Sequence, residues 1–243
     1  MKKWIYISLM CLGFSCSDDN RCLKSLGDQL QRERNIDGSF DAVLVEDRIM
    51  VRLIQDSLQA GKLILRGPEN LLPSISAEVK DGELKLTNKN TCNFLRSFDY
   101  TLEIDVYLAQ LNRLGIESIA MVKCKDTLTI DRLEVLHNAL SGIDLLVEGN
   151  EIYVQSHNSA STTLHGRVNV LKGSIEEVSD LDAKELFANN VLLDTHSPID
   201  SKINALEGYY LNLYNTGNIE QFGNASEYQI INEQTSTGTV IQK

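Results

Sequence analysis

The chain has 243 residues, 42% of them hydrophobic, and 34 acidic residues against 23 Lys and Arg give a formal net charge of −11. That length suits one or two domains with a substantial core. The acidity speaks against nucleic acid and anionic lipid headgroups as partners.

The first fifteen residues read as a signal peptide. Lys2 and Lys3 form a positive start, Trp4 to Leu12 an apolar run too short to span a bilayer, and Gly13-Phe14-Ser15 a mostly small segment. Cys16 follows where lipoprotein signals place their acceptor thiol. A thioether-linked diacylglycerol plus a further acyl chain would make attachment stable, where one chain is marginal. The competing reading is an ordinary secretory signal with an incidental cysteine. Cleavage before Cys16 leaves residues 16–243 with a net charge of −13, because Lys2 and Lys3 leave and no acidic residue goes with them.

Of five cysteines, Cys11 leaves with the signal and Cys16 is the lipidation site, so Cys22, Cys92 and Cys124 remain. Beyond the inner membrane disulfides are permitted. Cys22 and Cys92 lie in polar, turn-rich surroundings and Cys124 in a strand-like run that reads as a small buried position. Cys22–Cys92 is therefore the favoured bridge of the three possible, stabilising by up to ~4 kcal/mol in the chain-entropy view. No cysteine has zinc-site spacing, and no metal or other cofactor is expected.

Residues 16–35 read as a polar tether, and residues 36–243 as the folded domain. In its first half, 36–112, Ile49, Val51 and Leu53 alternate with Met50 and Arg52, and Leu102, Ile104, Val106 and Leu108 alternate with polar neighbours. Asp81-Gly82 separates two alternating runs and predicts a hairpin. No amphipathic helix follows residue 36, so the class is all-β. In the repeat half, 113–243, strand-breaking Ser141, Ser159, Ser179, Ser197, Thr216 and Thr237 recur every 18 to 21 residues. Two short strands per repeat suit a parallel β-solenoid (β-helix), with a more irregular β N-terminal half. A β-sandwich is the alternative, although its turns recur at about half this period. His137-Asn138 and His157-Asn158 lie one step apart and are expected to stack, the asparagines as a ladder. Charge follows the same division, since residues 133–243 carry 15 acidic and 5 basic side chains.

Several stretches resemble the bacterial auto-transporter adhesin family with a head GIN domain. They include Asp37 to Val45, Val79-Lys80-Asp81-Gly82-Glu83-Leu84, Asn90-Thr91-Cys92-Asn93, Ser141-Gly142-Ile143-Asp144 and Thr216-Gly217-Asn218-Ile219. The resemblance runs from Ile36 to the C-terminus and implies an exported, solenoid-like Bacteroidetes protein of unknown activity. Its members often carry a cysteine near the mature N-terminus and another in the Asn-x-Cys-Asn stretch, in line with a Cys22–Cys92 bridge. The family's Ser-Gly-Ser-Gly turns are replaced here by Asn-Ser-Ala-Ser, Glu-Val-Ser-Asp and Thr-His-Ser-Pro, which leaves the coil register between 155 and 200 open. Ser17-Asp18-Asp19 is similar to the signal that sends Bacteroidetes lipoproteins to the outer face of the outer membrane.

No hydrolase elbow, zinc-protease helix, phosphate loop or dinucleotide fingerprint is present. Stacked His137 and His157 could hold a metal, and Glu176, Glu177, Asp180 and Asp182 could collect oxygens for calcium, but each reads better as structural or solvated. A polysaccharide lyase needs cationic groups at the developing enolate, and residues 133–243 supply only Arg167, Lys172, Lys184, Lys202 and Lys243. Tyr209 is expected to face inward and Tyr210 outward. The reading is therefore a non-enzymatic, lipid-anchored envelope protein at the cell surface with no catalytic residues, binding a glycan or protein ligand. The alternative is an envelope accessory protein acting through other lipoproteins.

Overall fold

The computed structural model describes residues 25–90, 100–232 and 236–243. Cys16, Cys22 and Cys92, and with them the expected lipid site and disulfide, lie outside the described residues. The first half forms β1 (Gln29–Asn35), β2 (Ala42–Glu46), β3 (Met50–Gln55), β4 (Lys62–Pro68), β5 (Ile75–Lys80), β6 (Glu83–Asn88) and β7 (Glu103–Leu108). Then come β8 (Arg113–Glu117), β9 (Met121–Cys124), β10 (Leu128–Ala139), β11 (Gly142–Asn158), β12 (Ser161–Ile175) and β13 (Asp180–Thr195). The chain closes with β14 (Ser201–Ile203), β15 (Ala205–Leu213), β16 (Ile219–Gln221), β17 (Glu227–Asn232) and β18 (Val240–Gln242).

These strands wind into a parallel β-solenoid of about seven turns with a more irregular N-terminal sheet, as the repeat predicts. Each full coil contributes to three parallel ladders. In the shortest, Leu128 faces Val147, Val147 faces Gly166 and Gly166 faces Leu186. Inward side chains stack by the same register. One column runs Leu114, Val135, Val154, Gly173, Leu193 and Leu211, and all its apolar members are buried. Burying each such Val or Leu contributes about 1.5–3 kcal/mol, which no coil could collect without its neighbours.

The N-terminal half is threaded out of chain order. β2 lies between β6 and β8, and β3 lies between β7 and β9, all parallel. The first coil of the chain is therefore clamped between two later ones. Antiparallel strands then close this end, β5 on β6 and β1 on β4 on β7. The hairpin at Asp81-Gly82 forms as expected, with φ of 50° and 80° at the two turn residues.

Three expectations need correction. The tether does not reach residue 35, because Gln29–Asn35 is β1, paired along its length with β4. Leu26 packs on the core, and the Arg34 guanidinium donates to the carbonyls of Ile75 and Leu72 at 2.6 and 2.7 Å. Exposed β1 side chains give a polar sequence to a real strand. Cys124 is half-buried at a strand end, not a core residue, and its Sγ accepts the Leu146 N–H at 3.0 Å.

The third concerns the histidines. The step here is nineteen, not twenty, so His137 faces Ser156, and His157 faces Asn138. His137 points inward and His157 lies at the surface beside Glu176, 3.4 Å away. The asparagine ladder does form. Asn158 donates to Asn138, and Asn150, Asn169 and Asn189 stack through side-chain amides at 3.0 and 3.4 Å. These last three mark a corner where the inward alternation resets, so Val168 and Leu171 point into the core and Val170 does not.

Candidate functional site

The outward positions of the ladders form broad faces whose side chains line up in register. The acidic residues of the repeat half sit on these faces and pair with different partners. Glu151 takes Lys172 and Arg132, Asp182 takes Lys202, and Asp180 accepts the Ser161 hydroxyl. Glu177 accepts the Asn158 backbone N–H, while Glu176 takes the Ser174 hydroxyl and His157. The four-carboxylate cluster is thus dispersed over separate contacts, and the described residues bring no three His, Cys, Asp or Glu side chains together for a metal ion.

His137 sits in a polar pocket of the core. Its ring nitrogens lie 3.0 Å from Thr162 Oγ1 and 3.1 Å from Ser141 Oγ. Burial pulls its pKa down to about 4, which keeps the ring neutral. Tyr209 is buried and stacks on Tyr228 at a centroid distance of 5.4 Å, while Tyr210 is exposed, as the alternation predicts. Tyr214 stacks on His196 at 4.0 Å.

A recess lies at the opposite, N-terminal end. Gln31, Arg66 and Glu103 are direct cross-strand partners on β1, β4 and β7, and their side chains form one row. Arg66 donates from Nε to Gln31 at 3.0 Å and from Nη2 to Asp105 at 2.8 Å. Arg52 holds the other oxygen of Asp105, from Nε at 2.8 Å and from Nη2 at 2.7 Å. The two guanidiniums cover Asp105, leaving it 3% exposed although it points out of the sheet. Burial pushes that carboxyl up, but the hydrogen bonds and charges of Arg66 and Arg52 outweigh it and hold the pKa below the usual value. The same carboxylate raises the pKa of Arg66.

Beside this clamp is an open cleft of about 600 Å³, bounded by Gln29, Gln31, Arg66, Gly67, Tyr100 and Glu103. That volume is in the range of small-ligand sites. A second cleft of about 310 Å³ shares Tyr100 and is walled by Met50, Leu102, Ile119, Met121 and Leu140. Arg48, which lines this second cleft, lies over the Tyr100 ring, 5.6 Å from its centroid. None of these N-terminal residues is legible as a site in the sequence. Arg52 and Asp105 occupy ordinary polar positions in alternating runs, and only the parallel pairing of β3 with β7 places them opposite each other.

The fold is that of a parallel β-solenoid with in-register outer faces, closed at its N-terminal end by antiparallel strands and carrying a polar cleft there. The chain belongs to the family described as "Putative auto-transporter adhesin, head GIN domain", which it matches over residues 39–225. Its fold is shared by solved structures of low sequence identity. A "putative adhesin" from Bacteroides fragilis superposes with a TM-score of 0.81 at 19% identity, covering 89% of this chain and 97% of that one. A "putative adhesin" from Parabacteroides merdae gives 0.64 at 16%, covering 89% and 98%. A "Putative lipid binding protein" from Parabacteroides distasonis gives 0.58 at 16%, covering 88% and 97%. No curated protein matches the chain.

Proposed function

We propose that this protein is a lipid-anchored, non-enzymatic binding or adhesion module of the cell envelope, displayed from the outer membrane through Cys16. The observation that carries the reading is the solenoid itself, a stack whose outward side chains are held in rows by backbone register and by ladders such as Asn150–Asn169–Asn189. Such a surface is pre-ordered, so binding to it loses little conformational entropy. Membership of an adhesin-described family and the signal-like residues 1–16 support display at the cell surface. Cys22 and Cys92 are assigned a bridge that ties the mature N-terminus to the domain.

Protease treatment of intact cells tests the reading directly. The protein is expected to be shaved from the wild type, to take up radiolabelled palmitate, and to leave the membrane fraction in a Cys16→Ser variant. Protection from protease with palmitate uptake intact favours the accessory-protein reading instead. Retention of the Cys16→Ser protein in membranes overturns the anchor.

A further inference from the structure

Three large aliphatic side chains at the capped end face solvent together. Ile119, Met121 and Leu140 are 56%, 40% and 63% exposed. They wall the second cleft, beside Met50 and Leu102. Backbone register assembles them, since Met121 stands between Met50 of β3 and Gly142 of β11 as a direct partner of both. Exposed Arg48 lies at the rim of the same cleft. An aliphatic cluster left open on an acidic protein marks a surface that something covers.

We infer that this corner of the capped end is seated on the lipid surface that holds the anchor, with Ile119, Met121 and Leu140 dipping into the boundary between headgroups and acyl chains. The inference rests on the lipid-anchor reading and gives the anchored protein an orientation. Where the chain enters the fold selects lipid as the occupant. Asn70 Nδ2 donates to the Ser25 carbonyl at 2.9 Å, and Gln29 and Leu30 share the polar cleft with Tyr100 and Thr101, the same two residues that line the apolar one. Nine residues separate Cys16 from Ser25, at most about 30 Å of chain. The end that carries the patch is therefore the end held close to the membrane. Charge agrees. Residues 133–243 carry a net −10, leaving only −3 of the −13 for residues 16–132, so the acidic coils are the ones turned away from lipid headgroups. The chemistry also fits, because Ile119 and Leu140 offer no donor or acceptor to a polar ligand, and Arg48 at the rim can meet a headgroup phosphate. The patch orients the protein and does not anchor it. Its three half-exposed side chains bury less carbon than one acyl chain, which is itself marginal, so a Cys16→Ser protein still leaves the membrane.

The chain's one tryptophan, Trp4, lies in the signal. The mature lipidated protein is therefore dark in tryptophan emission, and Ile119→Trp, Leu140→Trp and Leu192→Trp each report one exposed position, the last as a control on β13. The purified lipidated proteins are floated with phosphatidylcholine vesicles containing lipids brominated near the headgroup end of their chains. Ile119→Trp and Leu140→Trp are expected to emit to the blue of Leu192→Trp and to be quenched about threefold more strongly, as suits side chains ~5–10 Å into the headgroup–acyl boundary. Equal quenching of all three, or none at either patch position in protein that floats, overturns the seating and leaves the anchor standing. Blue-shifted emission without quenching means that protein, such as a second copy, covers the patch, and overturns the seating as well. Protein that fails to float, or a wild type that keeps the Trp4 emission, overturns the anchor reading and the orientation with it.

Discussion

The side chain of Gln221 clasps the backbone of Ala205 at both ends, accepting its N–H at 3.0 Å and donating to its carbonyl at 2.9 Å. Gln221 is fully buried, and its amide acts as one more peptide group in the shortest ladder, where the chain between β16 and β17 leaves the parallel register. Gln55 does the same for Thr129 at the other edge of that ladder, accepting at 2.7 Å and donating at 3.1 Å. Side-chain amides thus close both edges, and at the buried Ala205 edge they meet the requirement that buried backbone groups be paired. Gln221→Leu keeps the volume and orphans an N–H, and should cost about 1–3 kcal/mol. Gln55→Leu, at an exposed site, should cost less. Urea midpoints of the two variants check the order.

Acid should destabilise the protein through His137. Its folded pKa of about 4 lies below the ordinary 6.5, so the unfolded chain takes up the proton first. The stability tied to the neutral ring is fully present above pH 6.5 and is lost as pH falls from there to about 4. The loss amounts to about 3 kcal/mol, from ~1.4 kcal/mol per pKa unit. His137→Gln should flatten that part of the curve of unfolding free energy against pH. An unchanged slope in the variant would count against the assignment.

Asp105 sets a second, more acidic limit. Its pKa is lowered in the folded state, so its contribution is present above the ordinary carboxylate value and disappears as pH falls below about 4. Asp105→Asn leaves Arg52 and Arg66 facing one another without a counter-charge and should lower stability by about 1–3 kcal/mol. Both guanidiniums are partly exposed, so added salt should recover part of that loss. Denaturant titrations at low and high ionic strength give the difference.

Two glycines with positive φ should respond differently to alanine. Gly82 has φ +80°, and a Cβ there would meet Asp41 Oδ1 at an ordinary 3.8 Å, so the change should cost about 1 kcal/mol of turn strain. Gly166 has φ +105°, and a Cβ there would lie 2.0 Å from the Val147 carbonyl oxygen, so Gly166→Ala should prevent the ladder from closing. Soluble yield and thermal midpoint separate them.

Hydrogen exchange should be fastest at the C-terminal end. All six residues of β17 are exposed, whereas β11, β12 and β13 are each paired on both sides along most of their length. Amides of 227–232 should exchange well before those of 152–154 and 190–193, because local opening there breaks fewer contacts.

The sequence by itself determined the class and the repeat. Alternation in runs such as Leu102–Leu108 reports which side chains are buried, and the spacing from Ser141 to Thr237 reports how often the chain returns to the same corner. Both are local signals, each held within about one coil. The hairpin at Asp81-Gly82 and the inward Tyr209 follow from the same kind of evidence. What the tertiary structure decided is everything that depends on which coil lies on which. A step of nineteen in place of twenty buries His137 and exposes His157, because one residue of register reverses every side chain on a strand. The insertion of β2 and β3 between later strands, the polar strand β1, and the meeting of Arg52, Arg66 and Asp105 join residues far apart in the chain. No periodicity within a segment encodes that pairing. It is set by the packing of the whole stack, and the cleft beside Tyr100 exists only as a consequence of it.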